Sequence, residues 1–112
     1  MKSLFLSLLL AASALPAWAH AKLQSSDPAA NSSVKSPSLI RLVFSEGLEP
    51  AFSGAVLSDG AGKKIPVPAS VGGATITLMP LALKPGAYKV TWHTVGHDTH
   101  RISGTLSFKV VP

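Results

Sequence analysis

The chain has 112 residues, contains no cysteine and carries a formal net charge of +5 at pH 7. The absence of cysteine excludes disulfides, thiolate metal sites and cysteine nucleophiles, and the length suits one small domain. The lysines and arginines are scattered along the sequence and are not clustered with aromatic residues. We therefore expect no nucleic-acid partner.

The first part of the chain has the features of a secretory leader, which we predict over residues 1–19. It has a basic start, an apolar run over 4–15 and a small-x-small pattern that ends at Ala19. The apolar run is shorter than the roughly 20 residues of a membrane span. We therefore expect export to the periplasm, a mature domain over 20–112 that begins at His20, and no stable membrane insertion of that mature form.

The rest of the sequence consists of short extended segments separated by Pro, Gly, Asn and Ser. Alternation of apolar and polar residues predicts strands in most of them, and Pro66 predicts that its strand lies at an edge. Tyr88 and Trp92 fall on the apolar face of their strand and are predicted core residues. About seven strands with regular turns predict an all-β fold, an antiparallel β-sandwich or Greek-key barrel. The extended segments are 21–26, 39–45, 53–58, 63–67, 74–79, 87–95 and 104–111.

Three of the four histidines, His93, His97 and His100, lie close together in the sequence, and Asp98 lies among them. Asp98 and His100 are two residues apart, so on extended backbone their side chains would project from the same face. Removal of the leader would also give His20 a free α-amine beside its imidazole, a pair that can chelate one metal ion. His20 would then supply two nitrogens, His100 a third nitrogen and Asp98 an oxygen. This donor set suits tetragonal Cu(II), which also has the highest affinity among the divalent metals of the first transition row. Such donors bind the metal only when deprotonated, so binding should weaken as the pH falls.

Each of these residues also has an ordinary structural interpretation. His20 simply follows the cleavage site, His93 and His97 are interpreted as solvated histidines, and Asp98 can cap a turn through its own backbone. His100 can be a surface residue. We favour a metal site because the chain is poor in histidine and has five acidic residues, one of which lies in this cluster.

Four blocks of sequence then follow a familiar order: HAKLxSSxPA at 20–29, LxFSE at 42–46, GAYKVxW at 86–92 and DTHxISGTLSF at 98–108. Together they resemble the CopC family of copper-resistance and copper-binding proteins over essentially the whole mature chain. The resemblance implies an Ig-like β-sandwich that binds Cu(II) in the bacterial periplasm for copper sequestration, delivery or resistance. It implies no catalytic step, and it suggests an inner-membrane copper protein as a partner.

The resemblance also implies roles for individual residues. His20 would supply its amine and imidazole, and Asp98 and His100 would complete the equatorial set. Glu46 would be a weaker ligand or would orient the others. Met79 is the one methionine of the mature chain, so the methionine-rich Cu(I) site of some family members is not expected. We interpret Met79 as a core residue at the end of a strand.

Two other functions stay open from the sequence. A copper-dependent oxidative enzyme can also use an N-terminal histidine, but it needs an open coordination position, which Asp98 would fill. A metal-free Ig-like interaction module would explain the strands and leave His20, Asp98 and His100 unused. Peroxide consumption in the presence of polysaccharide would reveal the enzyme, and the metal content of the purified protein would reveal the metal-free module.

Overall fold

The computed structural model describes residues 21–112, so the leader predicted over 1–19 and the predicted ligand His20 lie outside the described residues. Over the described part, nine strands form two sheets, and a single 3-10 turn spans Pro50–Phe52. No helix within this part is long and apolar enough to span a bilayer. The strands are β1 (Leu23–Asp27), β2 (Ser33–Val34), β3 (Ile40–Phe44), β4 (Gly54–Asp59), β5 (Lys64–Ile65), β6 (Ala69–Gly72), β7 (Thr75–Leu78), β8 (Gly86–Val95) and β9 (Arg101–Val110).

The two sheets differ in size and strand order. The first has the order β1-β3-β7-β6, and all of its neighbouring strands are antiparallel. The second has the order β2-β9-β8-β4-β5 and is antiparallel except where β2 pairs with β9. The short β5 lies at the edge of this sheet, as Pro66 just beyond it predicts. The predicted antiparallel β-sandwich is therefore confirmed.

Alternation along the strands builds the core between the two sheets. Phe44 of β3 and Trp92 of β8 meet edge to face across this core, with ring centroids 5.1 Å apart. Arg41 and Lys89 lie exposed on the same two strands. The predicted apolar faces of β3, β7 and β8 are confirmed, and their buried residues are Ile40, Leu42, Phe44, Ile76, Leu78, Tyr88, Val90 and Trp92.

The structure differs from the sequence-based expectation at strand ends and at one methionine. β9 begins at Arg101, ahead of the predicted segment 104–111, because its pairing with β8 continues up to Val95. Met79 is 39% exposed, so its interpretation as a core residue is wrong. The inward positions of β7 end at Leu78, and the next residue therefore points outward.

The β8–β9 hairpin is the longest paired unit and carries the candidate site at its tip. Its ten residue pairs run from Gly86 opposite Val110 to Val95 opposite Arg101. Trp92 lies opposite Gly104, and a methyl group at that glycine would overlap the indole ring. Glycine thus lets the large ring approach the backbone of the neighbouring strand closely.

Candidate metal centre

A five-residue loop, 96–100, joins β8 to β9 and holds the predicted Asp98 and His100. The Thr99 N–H donates to Gly96 O at 2.9 Å, and the His100 N–H donates to Asp98 Oδ1 at 3.0 Å. Thr99 has a φ of 69°, a left-handed conformation that is uncommon for a β-branched residue. The expectation of extended backbone from Asp98 to His100 is therefore wrong, because the chain turns sharply between them.

The turn nevertheless brings the two side chains into contact. Asp98 Oδ2 lies 3.1 Å from His100 Nδ1, and the side chains are 19% and 65% exposed, respectively. A single carboxylate thus bonds both the backbone and the ring of His100. Such carboxylate–imidazole contacts orient histidines that bind metals. The arrangement presents an oxygen donor and an imidazole together at the protein surface.

A second carboxylate approaches the same place from the segment that follows β3. A methyl group at Gly96 would overlap Glu46 Oε1 and would lie 3.3 Å from Asp98 Oδ1. The carboxylates of Glu46 and Asp98 therefore converge over the buried Gly96, which pairs with Leu48 through an isolated bridge. Two like charges brought close together favour a bound cation.

The other two histidines of the cluster, His97 in the same loop and His93 on β8, contact other residues. His97 Nδ1 is 2.7 Å from Glu49 Oε2, so His97 is paired as well as solvent-exposed. His93 is exposed on β8 and lies against Gly54 of the neighbouring strand. Among residues 21–112, no group of three His, Cys, Asp or Glu side chains is arranged to hold a metal ion.

The beginning of the described chain is fixed at this same end of the sandwich. Ala21 is fully buried, and its carbonyl accepts a hydrogen bond from Thr94 Oγ1 at 3.3 Å. Thr94 lies one residue before Val95, the last residue of β8 before the loop. The backbone of Lys22 pairs with Ser45, which follows β3. The chain thus enters the domain near the base of the loop that holds Asp98 and His100.

Residues 23–111 match the family model of the CopC domain. The chain belongs to the CopC family. The copper resistance protein C of Pseudomonas syringae pv. tomato is 42% identical over 104 residues, which cover 84% of this chain and 82% of that protein. Protein YobA of Escherichia coli K12 is 41% identical over 99 residues, which cover 83% and 80% of the two chains.

Solved structures of CopC-family proteins share the same sandwich. The crystal structure of CopC from Methylosinus trichosporium OB3b aligns with a TM-score of 0.78 at 32% identity, covering 83% of this chain and 95% of that chain. PcoC from Escherichia coli, described as a methionine-rich copper resistance protein, aligns with a TM-score of 0.72 at 39% identity, covering 83% and 100%. The present chain has two methionines in its whole sequence, so it differs from PcoC in this respect. The family resemblance inferred from the sequence is confirmed.

The site residues predicted from the sequence do not include Ser45, Thr94 or Gly96, which shape this end of the CopC-family domain. Thr94 did leave a signal, because it continues the inward-facing series that includes Val90 and Trp92 and places a hydroxyl where an apolar residue is expected. Gly96 left a weaker signal as the glycine between β8 and the Asp98–His100 pair. Ser45 left none, since its bonds to Lys22 depend on contacts between distant parts of the chain.

Proposed function

We propose that the mature chain binds Cu(II) in the periplasm and serves copper sequestration, delivery or resistance. The observation that carries this proposal is the contact between Asp98 and His100 on a CopC-family sandwich, at the end where the described chain begins. Copper is cargo in this account, and the protein needs no catalytic step. An inner-membrane copper protein is the partner to which we propose that copper is delivered.

The proposed ligands are the amine and imidazole of His20, together with Asp98 and His100. His20 directly precedes Ala21 in the sequence. Ala21 is anchored by Thr94 near the base of the loop, which supports a common site. Once one nitrogen of His20 binds, its second nitrogen is already at high effective concentration. Chelation by a single residue should therefore contribute much of the affinity.

The chemistry of the donors favours Cu(II) over Cu(I). Imidazole, amine and carboxylate donors suit Cu(II), whereas Cu(I) selects thioether and thiolate donors. The chain has no cysteine. Met79 directly follows Leu78, which pairs with Ile40 at the start of β3, so Met79 lies at the end of the sandwich away from the loop. Glu46, which converges with Asp98 over Gly96, is proposed to be a weaker ligand or to neutralise the bound cation.

The proposal is tested by replacing one histidine of the site and one outside it. His100→Ala should weaken Cu(II) binding at least about 10-fold in a chelator competition, because a ligand is lost. It should also change the copper hyperfine splitting in electron paramagnetic resonance. His93→Ala, which removes an exposed histidine of β8 that is outside the proposed ligand set, is the matched control and should leave both readouts unchanged. Equal affinities for the two variants would contradict the proposed site.

A further inference from the structure

One peptide group, between Ala21 and Lys22, is held by two hydroxyl side chains, one from the segment that follows β3 and one from β8. Its carbonyl accepts from Thr94 Oγ1 at 3.3 Å, and its N–H donates to Ser45 Oγ at 2.9 Å. The Ser45 N–H also donates to Lys22 O at 2.8 Å. We call the hydroxyls of Ser45 and Thr94 the N-terminal clamp. Both hydrogen-bonding groups of the peptide are thereby fixed by side chains, which sets the plane of the peptide.

The Thr94 half of the clamp is buried in a place where an apolar side chain would otherwise be expected. Thr94 is fully buried, and Tyr88, Val90 and Trp92 occupy the preceding inward positions of β8. Burying a hydroxyl is unfavourable unless it is hydrogen-bonded. Thr94 Oγ1 lies 3.3 Å from Ala21 O and 3.4 Å from Ile102 O. The hydroxyl thus connects the start of the described chain to both strands at the base of the loop.

We propose that the N-terminal clamp is a positioning device that admits a metal ligand only from the residue immediately before Ala21. This inference rests on the proposed function, because it assumes that His20 binds copper. Adding or removing one residue moves the chain end by up to about 3.3–3.6 Å. That shift exceeds a metal–nitrogen bond of about 2 Å. Ser45 and Thr94 are therefore positioning residues, and they make the site sensitive to where the leader is cut.

The sharpest test inserts one glycine between His20 and Ala21. His20 stays N-terminal and keeps both nitrogens, so a site that needs only a chelating N-terminal histidine would be unaffected. The clamp predicts Cu(II) binding that is at least about 10-fold weaker in chelator competition. A glycine inserted between Ala61 and Gly62, in the exposed β4–β5 turn, is the control and should leave the affinity unchanged. Unchanged affinity after the first insertion would overturn the proposal.

A second test removes the hydroxyls singly. Thr94→Val should weaken Cu(II) binding, and Thr94→Ser should restore most of it, because serine retains the donor. Ser58→Ala is the matched control, since Ser58 is also buried and its hydroxyl bonds a β8 carbonyl, that of Lys89. If Thr94→Val weakened copper binding only through a folding defect, Ser58→Ala would also lower both the stability and the Cu(II) affinity. Equal copper affinity of Thr94→Val and the unmodified protein would overturn the proposal.

A metal-free measurement separates this inference from the proposed function. The clamp predicts slow amide hydrogen exchange at Lys22 in the apo protein and faster exchange in Ser45→Ala. If the unmodified protein binds no Cu(II) while Lys22 is protected, the proposed function fails, and with it the positioning role. If Lys22 is unprotected and Cu(II) still binds through His20, the proposed function stands and the clamp is overturned. Protection together with weaker copper binding in Ser45→Ala supports both.

Discussion

In the β8–β9 hairpin, the paired strands bury Tyr88, Val90 and Trp92, whereas the loop at the tip exposes His97 and His100. The strands are held by ten residue pairs and by apolar packing on one face. The loop is held by a few hydrogen bonds and by glycine at position 96. Regular pairing therefore provides a rigid base, and the irregular segment above it carries the ionisable groups.

The two regions should respond differently to substitution because different forces hold them. Burying a large apolar side chain stabilises the fold by about 1.5–3 kcal/mol, whereas a typical hydrogen bond contributes about 0.5–1.5 kcal/mol. Changes to the strands should therefore lower the free energy of unfolding. Changes to the loop should mainly alter the affinity for copper.

The largest effect is expected from Asp98→Ala in the loop. It removes a proposed ligand and both contacts to His100, so we expect Cu(II) affinity to fall at least about 100-fold, since a ligand and its orienting contacts are lost together. Chelator competition measures the affinity. Asp59→Ala is the control, because Asp59 Oδ1 likewise caps a turn, at 2.9 Å from the N–H groups of Ala61 and Lys63. Asp59→Ala should lower the free energy of unfolding by about 1 kcal/mol and leave copper binding intact. A similar loss of Cu(II) affinity in both variants would contradict a specific role for the loop in copper binding.

The next effect is expected from Gly104→Ala in the strands. The added methyl group would overlap the ring of Trp92, so we expect a loss of about 1–3 kcal/mol in the free energy of unfolding. Denaturant titration followed by Trp92 fluorescence measures this loss. Gly72→Ala, where a methyl group has no heavy atom within 4 Å, should change stability by less than about 0.5 kcal/mol. Weaker copper binding by the folded Gly104→Ala protein would show that the strands and the loop are not separable.

A smaller effect is expected from Gly96→Ala, at the junction of the two regions. The methyl group would displace the Glu46 carboxylate and crowd that of Asp98. We expect copper affinity to fall by about 10-fold, as for loss of an orienting partner, with only a modest loss of stability. Gly54→Ala is the control, since its methyl group would meet the exposed His93 at 3.4 Å. Isothermal titration with Cu(II) should separate the two variants, and identical titrations would argue against a role for this junction.

The difference between the strands and the loop also explains which features could be predicted from the sequence. Alternation predicts the core faces of β3, β7 and β8 because burial on one side of a sheet imposes a period of two. Thr99 breaks that period with a left-handed backbone, so Asp98 and His100 meet through a turn and not through a shared strand face. Hydrogen bonds such as that between Thr94 and Ala21 join residues far apart in the chain, and no local pattern encodes them.

Short elements escaped prediction for a related reason. β2 has two residues, and its parallel pairing with β9 is a tertiary contact without a periodic signal. β6 is a four-residue strand with mostly exposed side chains, so its sequence lacks the apolar alternation of a core strand. Family-specific motifs reached further than periodicity, since they indicated the family whose model matches residues 23–111.

The most direct test of the account compares two forms of the processed protein, one that begins at His20 and one with a single alanine added before it. Both keep the His20 imidazole, Asp98 and His100, but the added residue converts the His20 amine into a peptide nitrogen. Chelator competition with Cu(II) should show binding at least about 10-fold weaker for the extended form, because the amine ligand and its chelate ring are lost. Equal affinities would contradict the claim that removal of the leader creates the copper ligand.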